Sequence, residues 1–135
     1  MNVPEKKVKA LERIHRLIRL QTELEEEYGD SDYNVFVFGS YPTTAYVEGE
    51  SDIDLAVYTS DFDLYKNLAV KIEDFFTKSG EQVDLFYIDT SFPAPIYIAP
   101  LTAKIQFTDY YPAELRDFEQ ECEQSLMLVK EKMAV

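Results

Sequence analysis

The stretch VFVFGSYPTTAYVEGESDIDLAVY, residues 35–58, decides the fold of this 135-residue chain. It contains two runs of β-branched and aromatic residues, and each run favours a buried strand. The first run, residues 34–38, ends at Gly39-Ser40, a pair typical of a tight turn. The second run, residues 52–58, begins with the alternating pattern Asp-Ile-Asp-Leu. We therefore predict two strands, with eleven residues, 41–51, between the Gly39-Ser40 turn and the second strand.

Helices and one further strand are predicted around these two strands. Apolar residues recur at helical spacing in three segments, and the last begins at Pro112, which suits a first helical position. In the first segment the apolar positions are Val8, Leu11, Ile14, Leu17, Ile18 and Leu24. The predicted elements are helices over 4–28, about 61–79 and 112–133, a third strand over 82–88, and a short broken helix or loop over 91–102. Strands that alternate with helices indicate an α/β or α+β domain, with helices flanking a small mixed sheet, and we predict that residues 1–135 form one domain.

The net charge of −13 is unevenly distributed along the chain. Residues 1–19 hold six of the 13 basic side chains and two of the 26 acidic ones, so the chain from residue 20 onward carries a net charge of −17. Such a surface repels a nucleic-acid backbone, whose binding depends on Lys and Arg neutralising phosphates. The composition therefore disfavours a polynucleotide partner and favours divalent cations or a basic protein.

The sequence contains no segment typical of export or membrane insertion. No run of about 18 apolar residues is present, and the start of the chain lacks the apolar core of a signal peptide. Cys122 is the single cysteine, which excludes an intramolecular disulfide and a Cys-based zinc site. We therefore predict a cytoplasmic protein.

Asp52, Asp54 and Asp84 are the candidate metal ligands. Alternate residues of a strand project to the same face, so Asp52 and Asp54 are expected side by side while Ile53 and Leu55 enter the core. Two neighbouring carboxylates repel each other unless a cation lies between them, and Mg²⁺ combines one or two carboxylates with water and substrate phosphates. Asp84 lies near the start of the third predicted strand and would complete the site if that strand lies beside the second.

Gly39 and Ser40 are the candidate phosphate-binding residues. Glycine permits close approach of the backbone, and the neighbouring amides and the Ser40 hydroxyl can donate hydrogen bonds to phosphate oxygens. A short helix beginning at this turn would add its dipole to the interaction. We therefore expect the turn to hold the triphosphate of a nucleotide.

The combination of these motifs resembles the nucleotidyltransferase superfamily related to DNA polymerase beta. It consists of an apolar strand, Gly39-Ser40, the pair Asp52 and Asp54, and a later Asp84 on a strand. The size of the chain, its first helix and its last segment are most similar to the minimal members of this superfamily, the antitoxins paired with HEPN-type toxins. The resemblance extends over nearly the whole chain, but only residues 35–58 and 82–88 carry specific motifs.

The resemblance implies a role for each residue of the motifs. Asp52 and Asp54 would ligate two Mg²⁺ ions, Asp84 would ligate the catalytic ion and help activate the attacking hydroxyl, and Gly39 and Ser40 would bind the phosphates. The implied reaction is in-line attack on the α-phosphate of ATP or another nucleoside triphosphate, with release of pyrophosphate. In the antitoxin family, AMP is transferred to a tyrosine hydroxyl of the toxin.

Two features differ from the usual pattern of the superfamily. The loop that leads to Asp52 is one residue longer than usual, and the basic residue common after the Gly-Ser pair is missing. No Lys or Arg lies between Phe36 and Tyr65. The charge of the triphosphate must then be balanced by metal ions, by amides, or by a cation from elsewhere in the chain, for which the candidates are Lys66, Lys71 and Lys104.

Other residues near the motifs have simpler explanations than catalysis. Asp61 and Asp63 lie at a predicted helix start, where capping is expected rather than metal binding. His15 lies among arginines on the first helix and is expected to be solvated, so hydrolase chemistry is not predicted. The basic residues of that helix are expected to be solvated or to contact the acidic body. Tyr41 and Tyr46 either pack in the core or border the nucleotide pocket.

Three functions are compatible with these residues. The first is a metal-dependent nucleotidyltransferase that modifies a partner protein, with a basic HEPN-type toxin as the expected partner. The second is a binding module of the same fold that neutralises its partner by contact alone, as the missing basic residue allows. The third is nucleotidyl transfer to a small molecule such as an aminoglycoside, which usually requires an added substrate domain.

Overall fold

The computed structural model describes residues 1–134, and Val135, the last residue of the predicted domain, lies outside the described residues. Every predicted helix and strand is formed within two residues of its expected bounds. The elements in chain order are α1 (Val3–Tyr28), β1 (Asn34–Phe38), β2 (Ile53–Tyr58), α2 (Phe62–Thr77), β3 (Val83–Tyr87), a 3-10 helix (Pro95–Tyr97), α3 (Ile98–Leu101), β4 (Ile105–Gln106) and α4 (Ala113–Met133). The loop or broken helix predicted over 91–102 thus contains the 3-10 helix and α3.

The four strands form one mixed sheet in the order β3-β2-β1-β4. β1 is antiparallel to both β2 and β4, whereas β2 and β3 are parallel. β3 lies directly beside β2, which is the arrangement that Asp84 needs in order to be near Asp52 and Asp54. The mixed sheet, flanked by helices, confirms the predicted fold class.

Helices α1 and α2 cover one face of the sheet. Alternate strand residues such as Val35, Val37 and Leu55 are buried there, in a cluster with residues of both helices. The helix residues of this cluster are Leu17, Leu20 and Leu24 of α1 and Leu68, Ile72 and Phe76 of α2.

Helices α3 and α4 cover the opposite face. The intervening strand residues, including Phe36 and Ala56, are buried there with Leu101 of α3 and with Leu115, Phe118 and Cys122 of α4. Asp54 is two residues from Ala56 along β2, so it belongs to this face and lies at the end where β2 begins.

The buried side of α1 differs from the one suggested by its apolar residues. Val8, Leu11 and Ile18 are each at least half exposed, whereas Ala10 and Leu20 are buried. The apolar spacing predicted the helix correctly but did not show which of its faces is buried. One position of the buried face, Ala10, is a small residue and does not stand out in the apolar pattern. None of the helices within residues 1–134 has both the length and the apolar character that a membrane span requires.

Candidate functional site

Asp54 is the central acidic residue of the candidate site. It is half-buried in β2, and its register partner on the parallel neighbour β3 is Asp84. Residues paired across neighbouring strands project to the same face, so these two carboxylates share the face covered by α3 and α4. Asp52 lies two residues before Asp54, immediately outside β2, and both Asp52 and Asp84 are exposed. The sheet therefore brings the three predicted acids to one end of one face.

The electrostatics of Asp54 reflect this arrangement. Burial raises the pKa of its carboxyl group above the ordinary value, and the negative charges of Asp52 and Asp84 raise this pKa further. The charges of both neighbours thus disfavour ionisation of Asp54, which agrees with the register that pairs Asp54 with Asp84. A cation placed among the three groups would relieve the cost of keeping Asp54 ionised.

Asp54→Asn is expected to increase the free energy of unfolding at neutral pH when divalent cations are removed by a chelator. A carboxyl group whose pKa is raised by folding destabilises the fold when ionised, and this cost is relieved as the pH falls through the raised pKa. The advantage of the variant should therefore be complete at neutral pH and disappear below about pH 4, the ordinary range of aspartate. Urea unfolding at both pH values measures it. A variant less stable than the wild type at neutral pH with chelator would contradict this electrostatic description.

The donor set is suited to a metal ion that arrives with phosphate oxygens. Among residues 1–134, no three His, Cys, Asp or Glu side chains, the predicted Asp52, Asp54 and Asp84 included, are gathered closely enough to hold a metal ion. Mg²⁺ is usually bound by one or two carboxylates together with water and substrate phosphates. Asp54, with Asp52 and Asp84 near enough to raise its pKa, offers one or two such carboxylates and not a complete set of ligands.

Gly39 places the turn after β1 directly against Asp54. Its φ angle of +73° lies in the left-handed region that favours glycine. A Cβ atom at this position would overlap Oδ2 of Asp54, so the backbone approaches the carboxylate more closely than any other residue would allow. The predicted phosphate-binding and metal-binding residues are therefore adjacent in space.

Ser40 begins a turn and not a helix. Its carbonyl oxygen accepts hydrogen bonds from the backbone N–H of Thr43 (2.9 Å) and from the Thr43 hydroxyl (2.8 Å). Residues 39–52 contain no helix or strand. A short helix does not begin at this turn, so no helix dipole acts there. Phosphate binding at the turn would depend on backbone amides and on the half-buried Ser40 side chain.

Arg13 of α1 holds the segment that follows Ser40. Its guanidinium group donates from Nε to the carbonyl oxygen of Tyr41 (2.6 Å) and from Nη2 to the carbonyl oxygen of Thr43 (2.8 Å). It also lies over the ring of Tyr46, 4.7 Å from the centroid. From the sequence, the basic residues of this helix could be either solvated or in contact with the acidic body of the domain. Arg13 makes a contact of the second kind, with the loop after Ser40.

Arg13→Met is expected to destabilise the protein by about 2 kcal/mol, because two charge-assisted hydrogen bonds to the loop are lost while the alkyl stem is largely kept. Urea unfolding measures the change in the free energy of unfolding. The matched control is Arg19→Met, since Arg19 is exposed on the same helix. If both variants lost the same stability, Arg13 would have no special part in holding the loop.

Tyr41 packs in the core, which decides between the two roles considered for it. Its side chain is fully buried in the cluster formed with α1 and α2, and its hydroxyl accepts a hydrogen bond from Arg16 (3.0 Å). Tyr46 packs edge to face against it, with ring centroids 5.2 Å apart. Both rings therefore belong to the face opposite Asp54 and do not border a nucleotide pocket there.

The remaining polar candidates have structural roles. Asp61 is the N-cap of α2, where its carboxylate accepts hydrogen bonds from the backbone N–H groups of Asp63 and Leu64. Asp63 forms an ion pair with Lys66 (3.2 Å), and His15 is exposed on α1. Capping for Asp61 and a solvated position for His15 are thus confirmed.

A cavity of about 570 Å³ opens beside Gly39. It lies between the end of β1, the turn at Pro42 and Thr43, and the segment that joins α3 to β4. Lys104 is part of its wall. Gly39, which lies against the Asp54 carboxylate, is part of the same wall.

Comparison with known proteins gives a family match and matches to chains of solved structures. The family model described as a nucleotidyltransferase domain matches residues 17–113. A crystal structure described as that of a mutant of the toxin-antitoxin MntA-HpeT shares 20% sequence identity over 89% of each chain, with a TM-score of 0.43. No curated protein sequence matches the chain.

Proposed function

Because the chain belongs to the nucleotidyltransferase domain family, we propose that it transfers AMP from ATP to a hydroxyl group of a partner protein in a reaction that requires Mg²⁺. The observation that carries this proposal is the position of Asp54. The negative charges of Asp52 and Asp84 raise the pKa of Asp54, so both are close to it. The carboxylate of Asp54 also lies directly against Gly39. Metal-binding and phosphate-binding groups are thereby adjacent, as nucleotidyl transfer requires.

Each acidic residue has a distinct part in the proposed reaction. Asp52 and Asp54 would hold two Mg²⁺ ions, and Asp84, exposed on the edge strand β3, would hold one of them and face the incoming hydroxyl group. Bound Mg²⁺ supplies neutralisation of the phosphate charge and orients the reacting oxygens. The amides after Gly39 and the Ser40 hydroxyl would orient the phosphate chain by donating hydrogen bonds.

The bond changes follow from in-line displacement at phosphorus. The hydroxyl oxygen of the acceptor forms a bond to the α-phosphorus of ATP, and the bond from this phosphorus to the oxygen that bridges to the β-phosphate breaks. Pyrophosphate leaves with that bridging oxygen and its electron pair. The proton of the acceptor hydroxyl passes to Asp84 and from there to solvent, because Asp84 is exposed.

The charge of the chain supports a basic protein as the acceptor. From residue 20 onward the net charge is −17, which attracts a basic surface and repels a polynucleotide. Together with the resemblance to the antitoxins of HEPN-type toxins, this charge makes a toxin of that type the proposed partner. The transferred AMP would be attached to a tyrosine hydroxyl of the toxin.

The proposal is tested by mixing the purified protein with Mg²⁺, ATP labelled on the α-phosphate, and the product of the neighbouring gene. The expected result is label on the partner and release of pyrophosphate, with no label when Mg²⁺ is chelated. Parallel reactions with an aminoglycoside test transfer to a small molecule. Absence of transfer to any acceptor would contradict the enzymatic proposal.

A second candidate is a binding module that neutralises its partner without chemistry. It is favoured by two features: no helix begins at the Gly39-Ser40 turn, and no Lys or Arg occurs between Phe36 and Tyr65. The same assay separates the two candidates. Neutralisation of the partner that persists without ATP, and without label on the partner, would support the binding module.

A further inference from the structure

The turn that faces the candidate nucleotide site has no cation of its own. No Lys or Arg occurs between Phe36 and Tyr65. Bound cations would neutralise part of the triphosphate charge, and a basic side chain from another segment is needed for the rest. Lys66 and Lys71 lie on α2, which packs on the face opposite Asp54. Lys66 is paired with Asp63 and Lys71 with Glu27. Neither lysine is positioned to reach the turn.

Lys104 immediately precedes β4, which lies on the side of β1 opposite β2. The ladder between β1 and β4 pairs Phe36 with Gln106 and Val37 with Ile105, so Lys104 lies just before this ladder and near the end of β1 at Phe38. Phe38 is in turn the partner of Asp54. Since neighbouring strands are about 4.8 Å apart, the backbones of β4 and β2, which flank β1, are separated by about 10 Å. The four-carbon stem of lysine spans much of this distance.

The surroundings of Lys104 are compatible with binding an anion. Its side chain is exposed and lines the 570 Å³ cavity together with Gly39 and Thr43. In the part of the chain that the structure describes, it takes part in none of the ion pairs. Gly39 thus borders both the Asp54 carboxylate and the cavity that Lys104 lines.

We infer that Lys104 binds the β- and γ-phosphates of the nucleoside triphosphate. This inference rests on the proposed function. It adds the orientation of the triphosphate relative to Asp54 and the Gly39-Ser40 turn. The α-phosphate would be beside Asp54, and the phosphate chain would cross the Gly39-Ser40 turn toward the cavity. A lysine ammonium group is a strong point charge for phosphate oxygens at this position.

The test compares Lys104→Met with the wild type by calorimetric titration of ATP and of AMP, both in the presence of Mg²⁺. Loss of one charge-assisted contact should weaken the binding of ATP about tenfold. The binding of AMP should hardly change, because AMP lacks the β- and γ-phosphates. Lys104→Arg should retain most of the affinity for ATP. Lys66→Met, which removes a lysine already paired on α2, is the matched control and should bind ATP like the wild type.

The possible failures are distinguishable. If the wild type binds ATP and Lys104→Met binds it equally well, the inference is wrong and the proposed function is unaffected. Equal losses for ATP and AMP, or a lowered thermal midpoint of Lys104→Met, would assign Lys104 a structural role and also overturn the inference. If the wild type binds no nucleotide at millimolar concentration, the proposed function fails, and the inference fails with it.

Discussion

Asp54→Asn is expected to reduce nucleotidyl transfer by about 100-fold or more while the protein remains folded. The substitution keeps the size of the side chain and removes the charge that would hold the cations. Asp54 is the only one of the three acids that is partly buried, and its carboxylate lies against Gly39. Rates of label transfer from ATP to the partner protein measure this loss.

The control for this prediction is Asp63→Asn. Asp63 is an exposed aspartate on α2 that pairs with Lys66, so the same chemical change occurs outside the site. This variant should transfer label at the rate of the wild type. Because ionised Asp54 is unfavourable to the fold without cations, Asp54→Asn should be inactive yet more stable, a combination typical of residues kept for function at the expense of stability. Transfer that survives Asp54→Asn would disprove the assigned role.

Gly39→Ala is the substitution with the second largest expected effect, a loss of about 100-fold in kcat/KM. The added Cβ atom overlaps Oδ2 of Asp54, so the carboxylate must move, and a displacement of about 1 Å in an active site costs a rate factor of this size. The left-handed backbone at this residue, φ +73°, adds a stability cost of about 1–2 kcal/mol. Steady-state kinetics and urea unfolding measure the two effects separately.

Gly49 provides a matched control for Gly39. It has a similar φ angle, +81°, but a Cβ atom added there meets nothing within 4 Å. Gly49→Ala should therefore lose a similar amount of stability through backbone strain and keep its transfer activity. If Gly39→Ala and Gly49→Ala lost the same activity, the contact between Gly39 and Asp54 would have no functional importance.

The local elements of this fold could be predicted from the sequence because each has its own periodic pattern. β4 could not, since a strand of two residues, Ile105 and Gln106, is too short to show any period. The buried side of α1 was also missed, because exposed apolar residues such as Val8 and Leu11 carry the same pattern as buried ones. Strand boundaries and strand identity are local properties, whereas burial depends on the partner element.

The candidate site was predictable in its residues but not in its geometry. Alternation along β2 predicts that Asp52 and Asp54 share a face, whereas the register that pairs Asp54 with Asp84 depends on contacts between distant segments. The contacts of Arg13 with backbone carbonyl groups of the loop have no sequence signal, because every residue has a carbonyl group. A charged stripe on a helix therefore gives no information on which of its members bind another segment.

Asp52, Asp54 and Asp84 are proposed to bind metal ions together with a nucleotide. Equilibrium dialysis of the protein against Mn²⁺ and a non-hydrolysable ATP analogue tests this proposal most directly, by counting metal ions per bound nucleotide. Two ions per nucleotide are expected for the wild type, and fewer for Asp52→Asn and Asp54→Asn. A wild-type protein that retains no metal with the nucleotide, or variants that retain as many ions as the wild type, would contradict the proposal.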